Sequence, residues 1–310
     1  MLQDNKGAFA YSMQDLPGYQ GATFEIKLVH DRPIFTARRQ HSALETKIQD
    51  EKNGELLQAG FIHEVDSRSK YAMESTFPAK KDADGNWVET RQCLDARRIN
   101  EATVTDAYSL PLPEELFQRV QGSTVFSGLD MRSGFFQLRV AEDSQKYTTF
   151  WWGNKLYAYS RMPFGFKNAT AAFQRVMDTV LRDAGLTHCA AAFVDDVIIY
   201  SSSMEEHVQH VDAVLRALAA VGLRVHPAKS IFAAAKIEYL GHVVTPGGLE
   251  PQAAKVAAMA QLPIPSTVAE LRSALGLLNY YRCYIPQFSS IAKPLNELCL
   301  LYTSDAAAKA

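Results

Sequence analysis

Two acidic residues, Asp195 and Asp196, stand side by side in the apolar run CAAAFVDDVIIYSSS, Cys189 to Ser203. Adjacent carboxylates repel each other, so at working pH one must hold a proton or a cation must sit between them. Aspartate is also an ordinary turn former. AAFV and VIIY are each long enough for a buried strand, so a hairpin here projects both acids from its tip. A third acid tips the balance toward chemistry. In VFSGLDMRSGFF, Asp130 closes another apolar run just before a turn carrying Ser133 and Gly134. With that strand beside the hairpin, three carboxylates converge at one sheet edge. Such a cluster suits hard divalent ions that prefer oxygen ligands, Mg²⁺ foremost. Two such ions about 3.5–4 Å apart activate a hydroxyl and stabilise the leaving oxygen of an in-line phosphoryl displacement.

The elements that must position these acids are readable on either side. TVFSGLDM and FFQLRV read as strands, and YTTFWWGNKLYAYS as a hairpin turning at Gly153-Asn154. TAAFQRVMDTVLRDAG is a helix with Phe173, Val176, Met177, Val180 and Leu181 on one face and Gly185 to close it. SMEEHVQHVDAVLRALAAVG is another, with Ser203 and Glu206 at capping-box spacing, Val208, Val211, Leu215 and Leu218 facing the core, and Gly222 as its stop. Upstream, SALETKIQDEKNGELLQAGFI reads as a helix capped by Ser42 and Glu45, with Leu44, Ile48, Leu56 and Leu57 sharing a face. The order strand, helix, strand hairpin, helix, strand is that of an α+β layer with helices on one face of an antiparallel sheet. Beyond TPGGLEP the pattern is helical only, with Thr267 and Glu270 again at capping-box spacing, and that Pro/Gly cluster reads as a boundary. The first thirty-odd residues show no sustained period and read as an arm or linker.

Composition limits the function classes. With 310 residues, 47% hydrophobic and 21% charged, the chain reads as globular and can bury a full core. No apolar run is long enough to span a bilayer and no signal-peptide pattern opens the chain. A formal net charge of -2 supplies no global field for nucleic acid, so a polynucleotide partner needs a local basic groove. Cys93, Cys189, Cys283 and Cys299 show neither zinc spacing nor a disulfide framework, and none of the 8 histidines has metal spacing.

FVDD followed by VIIYS, preceded by FSGLDMRSGFFQL and RMPFGFKNA, resembles the reverse transcriptase of gypsy-type long-terminal-repeat retrotransposons. The resemblance runs from about Phe24 to Leu298. It takes in DRPIFTARRQHS, FPAKKDADGNW…RQCLDARRIN, EYLGHVVTPGGLEP and LRSALGLLNYYRCYIPQFSSIAKPLNEL. Six further ordered blocks at compatible spacing carry far more weight than the one Asp-Asp pair.

The resemblance implies a right-hand polymerase fold of class α+β: fingers, a palm with a ferredoxin-like antiparallel sheet, and a helical thumb. By motif position the arm is 1–35, the fingers 36–104 and 138–168, the palm 105–137 and 169–246, and the thumb 247–298. It implies Asp130, Asp195 and Asp196 as catalytic acids holding two Mg²⁺ ions, with Mn²⁺ as a substitute. The implied reaction is attack of a primer 3′-hydroxyl on the α-phosphate of a deoxynucleoside triphosphate, on an RNA or DNA template. Lys80, Lys81 and Arg91 fall where the family places cations on the triphosphate, although WVETR separates Trp87 from Arg91 further than is usual. Phe135 falls where an aromatic ring closes the space beneath the sugar, and Phe164 offers an apolar surface to the nascent base pair. Pro163, Gly165 and Lys167 match a template-facing loop. Leu240 and Gly241 match a hairpin that grips the primer end, and Lys229 is a candidate contact for the leaving pyrophosphate. Thr170 stands where proline is common, a change that a helix N-cap tolerates.

No protease, RNase H or integrase motif is present in the sequence. In related elements those segments flank the polymerase on one polyprotein, inside a cytoplasmic virus-like particle. CLLYTSDAA, Cys299 to Ala307, resembles a translated sequencing adapter, so 299–310 is expected to be non-native. The alternative to an active polymerase is a decayed or domesticated remnant that binds nucleic acid without synthesis. The three intact acids favour activity.

Overall fold

The computed structural model describes residues 1–78, 80–81, 87–88 and 92–307, with the backbone alone for 80–81, 87–88 and 301–307. It divides into two compact units, Met1–Ile237 and Glu238–Ala310.

The acid-bearing sheet lies at the centre of the first unit. In chain order the unit contains α1 (Ala43–Gln58), β1 (Ile62–Val65), β2 (Val125–Asp130), β3 (Phe150–Trp152) and β4 (Lys155–Tyr159). It continues with α2 (Ala169–Asp183), β5 (Ala190–Phe193), β6 (Asp196–Ser201), α3 (Met204–Ala220) and β7 (Ile231–Ala234). β5, β6, β2 and β7 form one antiparallel sheet in that order. α2 and α3 contact each other and this sheet, giving the α+β layer expected from the element order. Val197, Ile198 and Ile199 of β6 are at most 1% exposed. At about 1.5–3 kcal/mol for each buried aliphatic side chain, they offset the cost of crowding acids at the strand's end. β1, β4 and β3 form a second antiparallel sheet, in which Trp152 pairs with Lys155 around a turn with Gly153 at φ 59°.

Several elements depart from the sequence reading for identifiable reasons. FFQLRV does not begin as a strand. Ser133 turns left-handed at φ 48° and Gly134–Gln137 coil into a 3₁₀ turn, with the chain extended only from Leu138 onward. Gln137 explains this: it is fully buried, its Nε2 donates to the carbonyls of Arg132 and Arg224 at 2.8 Å, and its Oε1 accepts from Arg224 N–H at 2.6 Å.

α1 keeps its Ser42–Glu45 capping box but turns a different face inward. Gln49, Asn53 and Leu56 are buried, whereas Leu44 and Leu57 are exposed. The amides sit inside because they are hydrogen-bonded there, Gln49 to Ser75 Oγ and the Trp151 carbonyl and Asn53 to Gln92. On α3, Val208 is exposed and His207 takes the inner position alongside Val211, Leu215 and Leu218. Its cap also differs, since Ser203 Oγ accepts from Glu206 N–H while the Glu206 carboxylate accepts from Ser202. Thr170 lies within the first turn of α2, whose N-cap is Asn168. The arm is irregular yet docked, with Ala8, Ala10, Leu16, Phe24 and Ile26 buried in the main core.

The second unit holds a hairpin, β8 (His242–Thr245) with β9 (Gly248–Pro251), followed by α4 (Ala253–Ala260), α5 (Val268–Tyr280) and α6 (Phe288–Ala307). The Thr267–Glu270 capping box starts α5. Leu275, Ala292 and Cys299 form its small core. The TPGGLEP cluster forms the turn and second strand of the hairpin.

Candidate active site

β2 ends on Asp130 and β6 begins on Asp196, and the two are Cα partners across the antiparallel ladder. Directly opposed residues share a sheet face, with Cβ atoms about 4.5–5.5 Å apart. Side chains alternate along a strand, and buried Ser127 of β2 meets His207 of α3 at 2.7 Å, so Asp130 faces away from that helix.

Asp195 sits in the β5–β6 turn after Val194, a β-branched residue at φ 54°. Such a conformation costs on the order of 1–3 kcal/mol and persists only where its surroundings impose it. Here Gln174 of α2, fully buried, accepts the Val194 N–H at 2.7 Å and donates to the Ala192 carbonyl and Asp178 Oδ1, both at 2.9 Å. On the other side Met131 N–H donates to the Asp195 carbonyl at 3.0 Å. Both flanks of the turn are thereby fixed to α2 and to the end of β2.

The carboxylates are electrostatically poised. Burial, then the neighbouring charges of Asp196 and Asp130, push the Asp195 carboxyl up to about 6 against a smaller opposing effect of Lys229. Asp196 is also raised, by desolvation and then by Asp130. The buried Asp195 Oδ1 has no hydrogen-bond partner among the described residues. It occupies the space that a Cβ on residue 134 would fill, so glycine makes its cradle. Three carboxylates that feel one another's charge, one of them with a buried oxygen left unpaired, are a donor set of the kind a hard divalent cation takes. Asp130, Asp195 and Asp196 are the candidates to hold one.

Asp130 and Asp195 open onto a cleft of ≈ 460 Å³ whose walls include Gly134, Phe136, Phe164 and Lys229. Pro163 lines it as well. Phe135 is half-buried against Phe164 and Phe173, at centroid distances of 5.2 and 6.0 Å, and the ring on the cleft wall belongs to Phe136. Gly165 adopts φ 94° and its carbonyl accepts from Asn100 Nδ2 at 2.7 Å. Lys167 Nζ donates to the Thr103 carbonyl at 3.1 Å. Lys80 and Lys81 pair with Val88 and Trp87 in a two-stranded ribbon, and Arg91 lies outside the described residues. In the second unit, Leu240 and Gly241 both have positive φ, 46° and 74°. Tyr280 donates its hydroxyl to the Leu240 carbonyl, and Tyr281 donates to that of Gly241 at 3.0 Å.

Sequence reasoning missed Gln174, Gln137 and Ser230. Ser230 Oγ accepts from Asp130 N–H at 3.2 Å and donates to the His226 carbonyl at 2.8 Å, while His226 N–H donates to the Asp130 carbonyl at 2.8 Å. Gln137 and Gln174 are polar residues beside apolar ones, the one signal that could have marked them, whereas Ser230 follows Lys229 in HPAKSIF and carries none.

A sequence model of the family "Reverse transcriptase (RNA-dependent DNA polymerase)" matches residues 79–244. The chain is 36% identical over 281 residues to the retrovirus-related Pol polyprotein from transposon 297 of Drosophila melanogaster, covering 89% of this chain and 26% of that protein. It is 35% identical over 298 residues to the corresponding polyprotein from transposon gypsy of the same species, covering 94% and 28%. The chain thus spans about a quarter of the length of these relatives. Among solved structures, it resembles a foamy viral protease-reverse transcriptase in complex with double-stranded DNA. The TM-score is 0.82 at 24% identity, over 96% of this chain and 51% of that one. A second foamy viral structure, in complex with an RNA/DNA hybrid, matches with TM-score 0.80 at 22% identity, over 97% and 39%. The fold is therefore the right-hand polymerase fold, and the chain belongs to the reverse transcriptase family.

Proposed function

We propose that this chain is the polymerase module of a retrotransposon polyprotein and adds deoxynucleotides to a primer on an RNA or DNA template. The observation that carries this reading is the register that sets Asp130 opposite Asp196, with Asp195 next in the turn and close enough to feel the charge of both. In the proposed reaction the primer 3′-oxygen forms a bond to the α-phosphorus. The bond from that phosphorus to the β-phosphate's bridging oxygen breaks, pyrophosphate leaves, and the hydroxyl proton passes to solvent. When bound, a pair of divalent cations supplies hydroxyl activation and neutralises charge on the leaving oxygen.

The chain's own residues do the positioning. Asp130, Asp195 and Asp196 hold the cations. Phe135 is the proposed sugar-side barrier, Phe164 and Pro163 form an apolar wall, and Lys229 faces the leaving group. Lys80, Lys81 and Arg91 are proposed to bind the triphosphate, and Gly165, Lys167, Leu240 and Gly241 the duplex. Support for a duplex partner comes from the foamy viral structures, which hold double-stranded DNA and an RNA/DNA hybrid.

Extension of an oligonucleotide primer on a homopolymer template with Mg²⁺ or Mn²⁺ tests the proposal. Incorporation is expected from the wild-type chain and a loss of at least a hundredfold from Asp195→Asn. Robust synthesis by that variant overturns the assignment. Duplex binding without synthesis by the wild-type chain would favour the remnant that binds but does not polymerise.

A further inference from the structure

Cys189 immediately precedes β5, His188 lies beside it in the loop from α2, and His210 projects from α3. Although sequence spacing gave no sign of it, one ligand atom from each of the three lies within 4.8 Å of the others. Cys189 is buried, His210 half-buried and His188 exposed, so the cluster has one face toward solvent.

The hydrogen bonds around the rings fix the tautomer that a metal needs at His188 and allow it at His210. His188 Nδ1 is 2.9 Å from the Gly185 carbonyl. A carbonyl only accepts, so Nδ1 carries the proton and Nε2 presents its lone pair. His210 Nδ1 is 2.8 Å from Ser201 Oγ, which is also 2.8 Å from His207 Nδ1. Ser201 has a single hydroxyl proton. When it donates that proton to His207, it accepts from His210 Nδ1–H, and His210 Nε2 is left as a donor. Ligating histidines characteristically give their other N–H to a carbonyl or oxygen in this manner.

We propose that His188, Cys189 and His210 form a transition-metal site for an ion of the Zn²⁺ class, with water in the fourth position, that clips the start of β5 to α3. Two neutral imidazoles and a thiolate match Zn²⁺ or Co²⁺ and not Mg²⁺ or Ca²⁺. Tetrahedral bonds of about 2.0–2.3 Å place donors roughly 3.3–3.8 Å apart, a contraction that small side-chain rotations supply. Binding replaces the Cys189 S–H bond with a sulfur–metal bond and releases one proton to solvent. The four strand residues Ala190–Phe193 and the turn residue Val194 separate Cys189 from Asp195, so the two lie at opposite ends of β5. The clip therefore braces the open end of the hairpin whose tip bears the acids.

Titration of the purified chain with Co²⁺ in excess Mg²⁺, which occupies oxygen-rich sites, tests this. One equivalent should bind with tetrahedral visible bands and a near-ultraviolet thiolate-to-cobalt band, and Zn²⁺ should displace it and raise Tm by several degrees. His188→Ala, at an exposed position, and His210→Ala should each weaken Co²⁺ binding at least tenfold. Cys189→Ser should abolish the thiolate band. Absence of that band in the wild type, or an unchanged band and affinity in both histidine variants, overturns the proposal. The exposed His188 variant keeps the test decisive even if the buried Cys189→Ser chain fails to fold.

Discussion

Asp195 Oδ1 occupies the space that a Cβ on Gly134 would fill, with Phe173 Cζ 3.1 Å from the same point. An added methyl has no room unless the carboxylate swings away. Carboxylates rotate at little cost, so Gly134→Ala should fold. Its loss of stability should stay near the low end of the about 1–3 kcal/mol typical of overpacking. Displacing a catalytic oxygen by about an ångström, however, costs on the order of a hundredfold in rate. Primer extension and thermal unfolding measured together should show a large fall in the first and a small fall in the second. Wild-type activity in Gly134→Ala would show that the carboxylate position is not critical.

Asp195 makes stability pH-dependent in a direction opposite to that of a salt-bridged acid. Its carboxyl is raised from 3.8 to about 6, so the folded chain binds the proton more tightly than the unfolded one. The resulting stabilisation is complete below about pH 4, shrinks between 4 and 6, and is gone above 6. At about 1.4 kcal/mol per pKa unit it amounts to at most about 3 kcal/mol. Asp195→Asn should therefore have a higher Tm than wild type at pH 8, with the difference fading as pH falls to 4. Mg²⁺ binding should weaken over the same descent, because protons compete for the same oxygens. A Tm difference independent of pH would rule out an ionised, desolvated Asp195 as its source.

The sequence announced the apolar frame of this site but not its polar supports. Phe173, Val176, Met177, Val180 and Leu181 recur at helical spacing and are all buried on α2, as periodicity requires. The hairpin tip was legible because paired acids between aliphatic runs leave few other arrangements. Gln174 and Gln137 were not, since a buried glutamine looks like a surface residue until its partners are known. The same physics hid the inner face of α1, where Gln49 and Asn53 displaced two leucines. His188, Cys189 and His210 escaped because proximity across a helix and a strand leaves no linear spacing to read.

Sugar selection can be assigned to one of two adjacent rings. Phe135 is the proposed barrier but is half-buried against Phe164 and Phe173, while Phe136 lines the cleft. Phe135→Val should admit ribonucleotides with at least a tenfold shift in preference, since the 2′-hydroxyl is all that distinguishes the two sugars. Phe136→Val should instead lower overall activity, through lost packing with Tyr159 and Phe164, at unchanged sugar preference. The reverse pattern in single-nucleotide incorporation would transfer the role to Phe136.

Leu240 and Gly241 hold two successive positive-φ conformations, at 46° and 74°, that an isolated chain would seldom adopt. Their carbonyls are held by Tyr280 and Tyr281 from the end of α5. A Cβ on Gly241 would sit 3.3 Å from the Tyr280 ring, a tight contact, at a φ of 74° that strains any side chain, so glycine is favoured there. Tyr281→Phe removes one hydroxyl and about 0.5–1.5 kcal/mol of hydrogen bonding, leaving the ring packed against His242. If this hairpin grips the primer end, the variant should bind a primer–template several-fold more weakly by fluorescence anisotropy. The Asp195-dependent Mg²⁺ titration should stay unchanged, because those acids belong to the other unit. Undiminished duplex affinity in both Tyr281→Phe and Gly241→Ala would remove Leu240 and Gly241 from the duplex-binding surface.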